Sequence, residues 1–168
     1  LLLHVMGQDT GARAWLLTND DVVLNEAQHV AFETALLRRL RHEPVAYITG
    51  EKEFFGLRLH VDARVLDPRP DTETLVEWAL SLMPSASPRV LDLGTGSGAI
   101  ALALQHAWPQ AHVLAVDASE DALSVARENA DTLGLPVTFL RSHWLTEVAG
   151  MFDLIVSNPP YIADADAH

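Results

Sequence analysis

The stretch Val90-Leu91-Asp92-Leu93-Gly94-Thr95-Gly96-Ser97-Gly98-Ala99-Ile100-Ala101-Leu102 decides how the rest of the chain is read. A short apolar run breaks into three glycines at alternate positions and resumes in residues that favour a helix. This is strand, tight turn, helix. Glycines there let the backbone reverse sharply and let a ligand come close without a clash against Cβ.

Downstream the pattern repeats. Val113–Val116 reads as a second strand ending in Asp117. A helix is predicted over Glu120–Leu133 with Ser119 as its cap, then strands over Val137–Leu140 and Phe152–Val156. Short, wholly apolar strands separated by helices imply a parallel sheet covered on both faces. The fold class is therefore α/β, a doubly wound Rossmann-like sheet with its ligand site at the carboxyl ends of the strands.

Upstream the character differs. Asn25 and Gln28 have capping-box spacing, and an apolar stripe of Val30, Phe32, Leu36, Leu37 and Leu40 predicts a core-facing helix that Pro44 ends. Phe54–Val61 alternates after Gly56 and reads as a hairpin. Asp71 is placed to cap a helix running to Met83 with Leu75, Val76, Ala79 and Leu80 on one face, and Pro84–Pro88 reads as a linker. The predicted organisation is a helical domain over 1–43, a hairpin connector over 44–66 and a ligand-binding domain over 67–168.

The Gly-rich turn suits two ligands. Gly94-x-Gly96-x-x-Ala99 satisfies a loose dinucleotide fingerprint, and such a turn also holds S-adenosylmethionine. Asp92 favours the latter. A carboxylate there repels a pyrophosphate but can pair, directly or through water, with the cationic amino-acid end of the methyl donor. Asp117 is placed to accept ribose hydroxyls and fits either ligand.

A second motif follows the last strand: Ser157-Asn158-Pro159-Pro160-Tyr161. Two prolines fix φ and remove two N–H donors, so the neighbouring carbonyls are held rigidly. The Asn158 side-chain oxygen and the Pro159 carbonyl can accept both hydrogens of one planar –NH2 group, and Tyr161 can stack on its flat face. The expected clamp is thus Asn158, Pro159, Pro160 and Tyr161.

Asp92–Gly98 together with Asn158–Tyr161 resembles the class I S-adenosylmethionine-dependent methyltransferases that act on amino or amide nitrogen. Leu66-Asp67-Pro68-Arg69-Pro70-Asp71-Thr72-Glu73 is similar to the Pro-Arg-Pro-(Asp/Glu)-Thr-Glu signature of the release-factor glutamine methyltransferases, the HemK or PrmC family. The likeness extends to Glu43–Gly50 and Glu53–Gly56. The related ribosomal-protein enzymes carry Pro-Arg-Ser-Pro in this region, so Pro70–Glu73 favours the release-factor branch. The resemblance implies a helical N-terminal domain that docks the release factor, a hairpin, and a catalytic sheet. The implied reaction methylates the side-chain amide of the Gln in the Gly-Gly-Gln motif of release factors and leaves S-adenosylhomocysteine. Implied cofactor residues are Asp92, Gly94, Thr95, Gly96, Ser97, Gly98, Asp117, Trp144 beside the adenine, and Asn158. Two positions depart from the family. Asp67 replaces an apolar residue. His143 stands where an Asp normally faces the adenine, and a neutral imidazole can still hydrogen-bond there. No dedicated general base is visible; His143 and Glu73 are the candidates, and the proton can leave after transfer. Arg69 can reach a substrate or cofactor carboxylate, or pair with Glu73.

Such methyltransferases are similar in having seven strands ordered 3-2-1-4-5-7-6. Four are identified here, which predicts a partial sheet with the fourth strand at an edge. The opening Leu1–Met6 reads as the end of a helix, so a longer parent chain is expected.

Charge argues on the partner. The formal net charge is −12, and residues 67–168 carry four basic against fourteen acidic side chains. That opposes a protein held by phosphates, so no stable nucleic-acid binding is expected. The absence of cysteine rules out disulfides and thiolate metal sites, and the histidines show no metal-ligand spacing. No apolar run is long enough for a bilayer. A cytoplasmic protein, monomeric at full length, is expected. Two rival functions remain: an adenine-amine methyltransferase on nucleic acid, which Asn-Pro-Pro-Tyr also suits, and a non-catalytic module that docks to release factors.

Overall fold

A computed structural model of the chain describes residues 1–9, 11–82 and 86–159. The chain divides into two compact units, Leu1–Gly50 and Glu51–His168.

The first unit is helical: α1 (Leu2–Val5), α2 (Arg13–Thr18), α3 (Glu26–Leu40) and α4 (Val45–Thr49). The predicted capping box starts α3, with Gln28 N–H donating to Asn25 Oδ1 at 2.9 Å and Asn25 N–H to Gln28 Oε1 at 3.1 Å. The helix stops at Leu40, where His42 turns to a left-handed φ of 67°. Pro44 begins α4 instead of ending α3. Arg38 clasps Glu43 through Nε (2.8 Å) and Nη2, and also reaches the Tyr47 carbonyl at 3.2 Å. Hydrogen bonding to each other raises the guanidinium pKa and lowers that of the carboxyl. The predicted core stripe of α3 is corrected here. Val30, Leu36, Leu37 and Leu40 are exposed, and Ala35 alone on this helix is buried. A fifty-residue unit has too little interior to cover so wide a stripe.

The second unit opens with the hairpin β1 (Glu51–Phe54) and β2 (Leu57–His60), paired Glu51 to His60 and Phe54 to Leu57. Its two-residue turn needs positive φ at both positions, and Phe55 (50°) and Gly56 (75°) supply it. Two carboxylates hold the turn's amides. Gly56 N–H donates to Glu53 Oε1 at 2.9 Å, and Phe55 N–H to Glu73 Oε1 at 3.1 Å. Phe54, Leu57 and Leu59 enter the core.

A 3-10 turn over Pro70–Thr72 leads into α5 (Glu73–Ser81). The N-cap position is Thr72, not the predicted Asp71, because Pro70 starts the turn one residue earlier. Met83, the predicted helix end, lies outside the described residues. There follow β3 (Arg89–Leu93), α6 (Ala99–Ala107), β4 (His112–Asp117), α7 (Glu120–Leu133), β5 (Thr138–Arg141) and β6 (Leu154–Ser157). These four strands form one parallel sheet in the order β5-β4-β3-β6. In chain order that is third, second, first, fourth, as expected. β6 begins two residues later than predicted, pinned where Asp153 exchanges hydrogen bonds with the Arg89 backbone at 2.8 Å each way. It occupies an edge, with Ile155 exposed.

Helix α6 is buried through Ala99–Gln105 and forms the centre of the core with β3. Each buried Leu or Val there contributes roughly 1.5–3 kcal/mol. Gly98 explains its own identity. Its φ is +83°, and a Cβ would meet Leu102 Cδ1 at 3.1 Å and Ala126 Cβ at 3.2 Å.

One polar residue that periodicity does not reveal joins three elements. Asn129 of α7 is buried. Its Oδ1 accepts from His60 N–H at 2.7 Å, and its Nδ2 donates to the carbonyls of His60 and Ser97, both at 3.0 Å. Asn129→Ala leaves one donor and two acceptors unpaired, and should destabilise the protein by about 2–4 kcal/mol in urea denaturation. A change below about 0.5 kcal/mol would contradict this role.

Candidate active site

The parallel register sets the site. Leu93 pairs with Val116 and Ser157, so β3, β4 and β6 end close together at Leu93, Asp117 and Ser157 and three loops emerge side by side. The Gly94 and Thr95 amides both donate to the Val116 carbonyl at 2.9 Å, folding the glycine turn over the end of β4. Asp117 completes the tie. Its Oδ2 accepts from Gly96 N–H and its Oδ1 from Ser119 N–H, each at 2.9 Å.

A cleft of about 330 Å³ opens above these loops, with Gly94, Gly96, Asp117, His143, Trp144, Asn158 and Pro159 in its walls. The structure thus brings together most of the predicted cofactor residues and separates their roles. Gly94 (φ +74°) and Gly96 (φ +56°) face open space, with nothing within 4 Å of a built Cβ. Thr95, Ser97 and Gly98 turn inward and are buried. Asp92 lies beneath the turn, fully buried, and its Oδ2 accepts from the Thr95 hydroxyl at 2.7 Å. Its Oδ1 has no partner among the described residues. Pro160 and Tyr161 lie outside those residues.

His143 and Trp144 reach the cleft through a loop that Ser142 builds. The Ser142 amide donates to the Asp117 carbonyl at 3.0 Å and its hydroxyl to the Trp144 carbonyl at 2.7 Å. Trp144 takes a φ of 54° and is half exposed. Sequence reasoning missed the opposite wall, formed by Arg64, Val65 and Leu66. Arg64 is held by Asp62 at 2.6 Å, which drives the Asp62 carboxyl far below its ordinary range. The one sequence signal for this wall is an apolar pair placed just before the proline-rich string.

The walls fit the ligand that the turn implies. Space over Gly94 and Gly96 admits a bulky group. Each Asp117 oxygen accepts one amide and retains a lone pair for a hydroxyl. The orphaned Asp92 oxygen is an acceptor placed below the turn.

The proline-rich string frames the other side of Asn158. Asp67 stands 3.1 Å from Lys52 Nζ, an ion pair bent away from hydrogen-bond geometry, which gives the departure at Asp67 a structural role. Glu73 holds the hairpin turn, so it does not pair with Arg69. Arg69 is exposed and has no ion pair among the described residues. Asn158 Nδ2 donates to Thr72 Oγ1 at 2.9 Å. A second cleft of about 440 Å³, lined by Arg69, Thr72 and Leu75, shares Leu66, Asn158 and Pro159 with the first. A hollow of about 470 Å³ at the other end of the strands, around Arg89 and His112, lies away from these loops. Among the described residues no group of three or more His, Asp or Glu could hold a metal. No helix among them is long and apolar enough to cross a membrane.

Burial pushes the Asp92 carboxyl up to about 6, the Thr95 hydroxyl and the Ala101 amide oppose this, and the charge of Asp117 adds to it. The native state therefore binds more protons than the unfolded chain between about pH 4 and pH 6. Stability from this group is largest below that window and falls as pH rises through it, by on the order of 3 kcal/mol. Asp92→Asn should remove this slope, read as the difference between variant and parent in urea denaturation from pH 4 to 7. Parallel pH profiles would contradict it.

Comparison with known proteins identifies the family. Residues 71–168 match the methyltransferase small domain, and residues 1–50 match the PrmC N-terminal domain. The release factor glutamine methyltransferase of Bordetella pertussis is 49% identical over 168 residues, covering 98% of this chain and 61% of that protein. The protein of that name from Escherichia coli K12 is 45% identical over 170 residues, covering 100% and 60%. The chain thus spans about 60% of the length of these curated relatives. In fold it is similar to the Pyrococcus abyssi tRNA (uracil-54, C5)-methyltransferase, with a TM-score of 0.56 at 18% identity over 66% of this chain and 28% of that one. The chain belongs to the methyltransferase small domain family.

Proposed function

We propose that the full-length protein methylates the side-chain amide of the Gly-Gly-Gln glutamine of peptide-chain release factors, with S-adenosylmethionine as donor. The observation that carries this reading is the wall of Leu66, Asn158 and Pro159 shared by two clefts. A methyl transfer needs donor and acceptor on either side of one boundary. The names of the relatives that match nearly the whole chain support the choice of acceptor.

Bound in the first cleft, S-adenosylmethionine supplies an electrophilic methyl group on a sulfonium. Gly94 and Gly96 let it approach the backbone, and Asp117 accepts its ribose hydroxyls. Trp144 and His143 flank the adenine. Asp92, buried beneath the turn, would take the cationic amino-acid end directly or through water. On the acceptor side, Asn158 Oδ1 and the Pro159 carbonyl accept the two hydrogens of the glutamine –NH2, and Pro160 and Tyr161 complete the clamp. An amide nitrogen is a poor nucleophile because its lone pair is delocalised. Two acceptors on its hydrogens raise its electron density and favour the pyramidal form of the transition state. The protein's main contribution is then alignment of nitrogen, methyl and sulfur. Residues 1–43 dock the release factor. Placement in the cytoplasm follows from that substrate.

The test is mass spectrometry of a release factor incubated with the full-length protein and the donor. One added methyl on the Gly-Gly-Gln glutamine is expected; methylation of DNA adenine instead, or no donor binding in calorimetry, would overturn the reading. Asn158→Ala should slow transfer at least tenfold with little change in donor affinity; near-normal turnover would contradict the clamp. His143→Asp should tighten donor binding about fivefold if one hydrogen bond to adenine is gained. Unchanged or weaker binding would show that His143 already serves.

A further inference from the structure

We infer that Thr72 is the positioning residue for Asn158, restraining its side-chain amide in the orientation that leaves the oxygen free to accept; this rests on the function proposed above. The two residues are 86 positions apart and meet through one hydrogen bond of 2.9 Å, Asn158 Nδ2 to Thr72 Oγ1. Asn158 Oδ1 has no partner among the described residues. With one amide hydrogen engaged by Thr72, the oxygen keeps its lone pairs for an incoming donor.

The tether has a chemical purpose. The torsion that turns an asparagine amide is soft and roughly two-fold, so an untethered side chain also presents its own –NH2. That state sets donor against donor when the incoming group is itself an –NH2. Thr72 removes it. The threonine is on the right side of the wall to do so, because it lines the second cleft with Arg69 and Leu75, while Asn158 and Pro159 line both.

The local structure shows that the hydroxyl has no other duty. Thr72 occupies the N-cap position of α5, where a threonine oxygen ordinarily accepts a backbone amide of the first turn. Here it makes no such bond. Its φ of −70° and ψ of −20° carry the 3-10 turn straight into the helix, so the cap geometry is not adopted. Pro68 and Pro70 fix φ on either side of Arg69 and hold the approach to Thr72 stiff. The Thr72 amide is fixed as well, donating to the Arg69 carbonyl at 3.0 Å. Removing the hydroxyl therefore loosens Asn158 without uncapping α5.

The experiment compares Thr72→Val, which keeps the shape and removes the oxygen, with Thr72→Ser, which keeps the oxygen, both in the full-length protein. Thr72→Val should lower kcat at least tenfold while the Kd for S-adenosylmethionine and the KM for release factor stay within twofold. Thr72→Ser should recover the rate to within threefold of the parent. In an Asn158→Ala background, Thr72→Val should add less than a twofold loss. A Thr72→Val kcat within twofold of the parent, a Thr72→Ser rate as low as that of Thr72→Val, or equal losses with and without Asn158 would overturn the inference. Hydrogen exchange of the Asn158 side-chain –NH2, followed by NMR, reads the tether without any acceptor. Slower exchange in the parent and Thr72→Ser than in Thr72→Val is expected, and equal rates would overturn it. A parent that methylates no release factor would sink the proposed function, and this exchange measurement would still decide Thr72.

Discussion

The carboxylate of Asp117 is the constraint on which the site depends. One oxygen holds the Gly96 amide and the other the Ser119 amide. It thereby ties the turn after β3 to the start of α7. Parallel pairing of β3 and β4 brings these loops to the same edge, and the carboxylate fixes their distance. The Val116 carbonyl, taking two amides of the glycine turn, reinforces the same junction. A floor built this way is largely preformed, because its backbone donors are already directed before a ligand arrives. Those bonds leave capacity on both Asp117 oxygens, so one side chain can shape the cleft and still contact what enters it.

The proline-rich segment does for the acceptor side what Asp117 does for the donor side. Asp67 pairs with Lys52, Glu73 holds the Phe55 amide, and Thr72 holds Asn158. One short string therefore fastens the hairpin, the start of α5 and the loop after β6 to one another. The signature-like run Pro68–Glu73 is better understood as this set of tethers than as a row of ligand contacts. Within it, Arg69 and Asp71 are both exposed, without a side-chain partner among the described residues, and on the wall of the second cleft.

Much of the fold was legible because its signals are local. Apolar strand runs, glycines at alternate positions and a cap at Ser119 placed β3, α6, β4 and α7, with α7 matching the predicted Glu120–Leu133. The capping box at Asn25 and Gln28 was equally local and was found. Helix α4 was missed because five residues after a proline carry no readable periodicity. The α3 stripe misled because an apolar pattern reports which face is greasy, not whether anything covers it. At the site, Asn158, Pro159, Asp117, Gly94 and Gly96 were legible as residue types at strand ends. The different duties of Gly94, Gly96 and Gly98 were not, since they depend on what stands over each Cα. The bonds of Asn129 to His60 and Thr72 to Asn158 join residues 69 and 86 positions apart, and no local pattern marks either one.

The central claim is that the donor lies over the glycine turn with its reactive end at the wall formed by Asn158. A crystal structure of the full-length protein with S-adenosylhomocysteine tests it directly. The expected result has both ribose hydroxyls within hydrogen-bond distance of Asp117 and the sulfur directed at the Leu66–Asn158–Pro159 wall. A nucleoside bound elsewhere, or a sulfur directed away from Asn158, would contradict it.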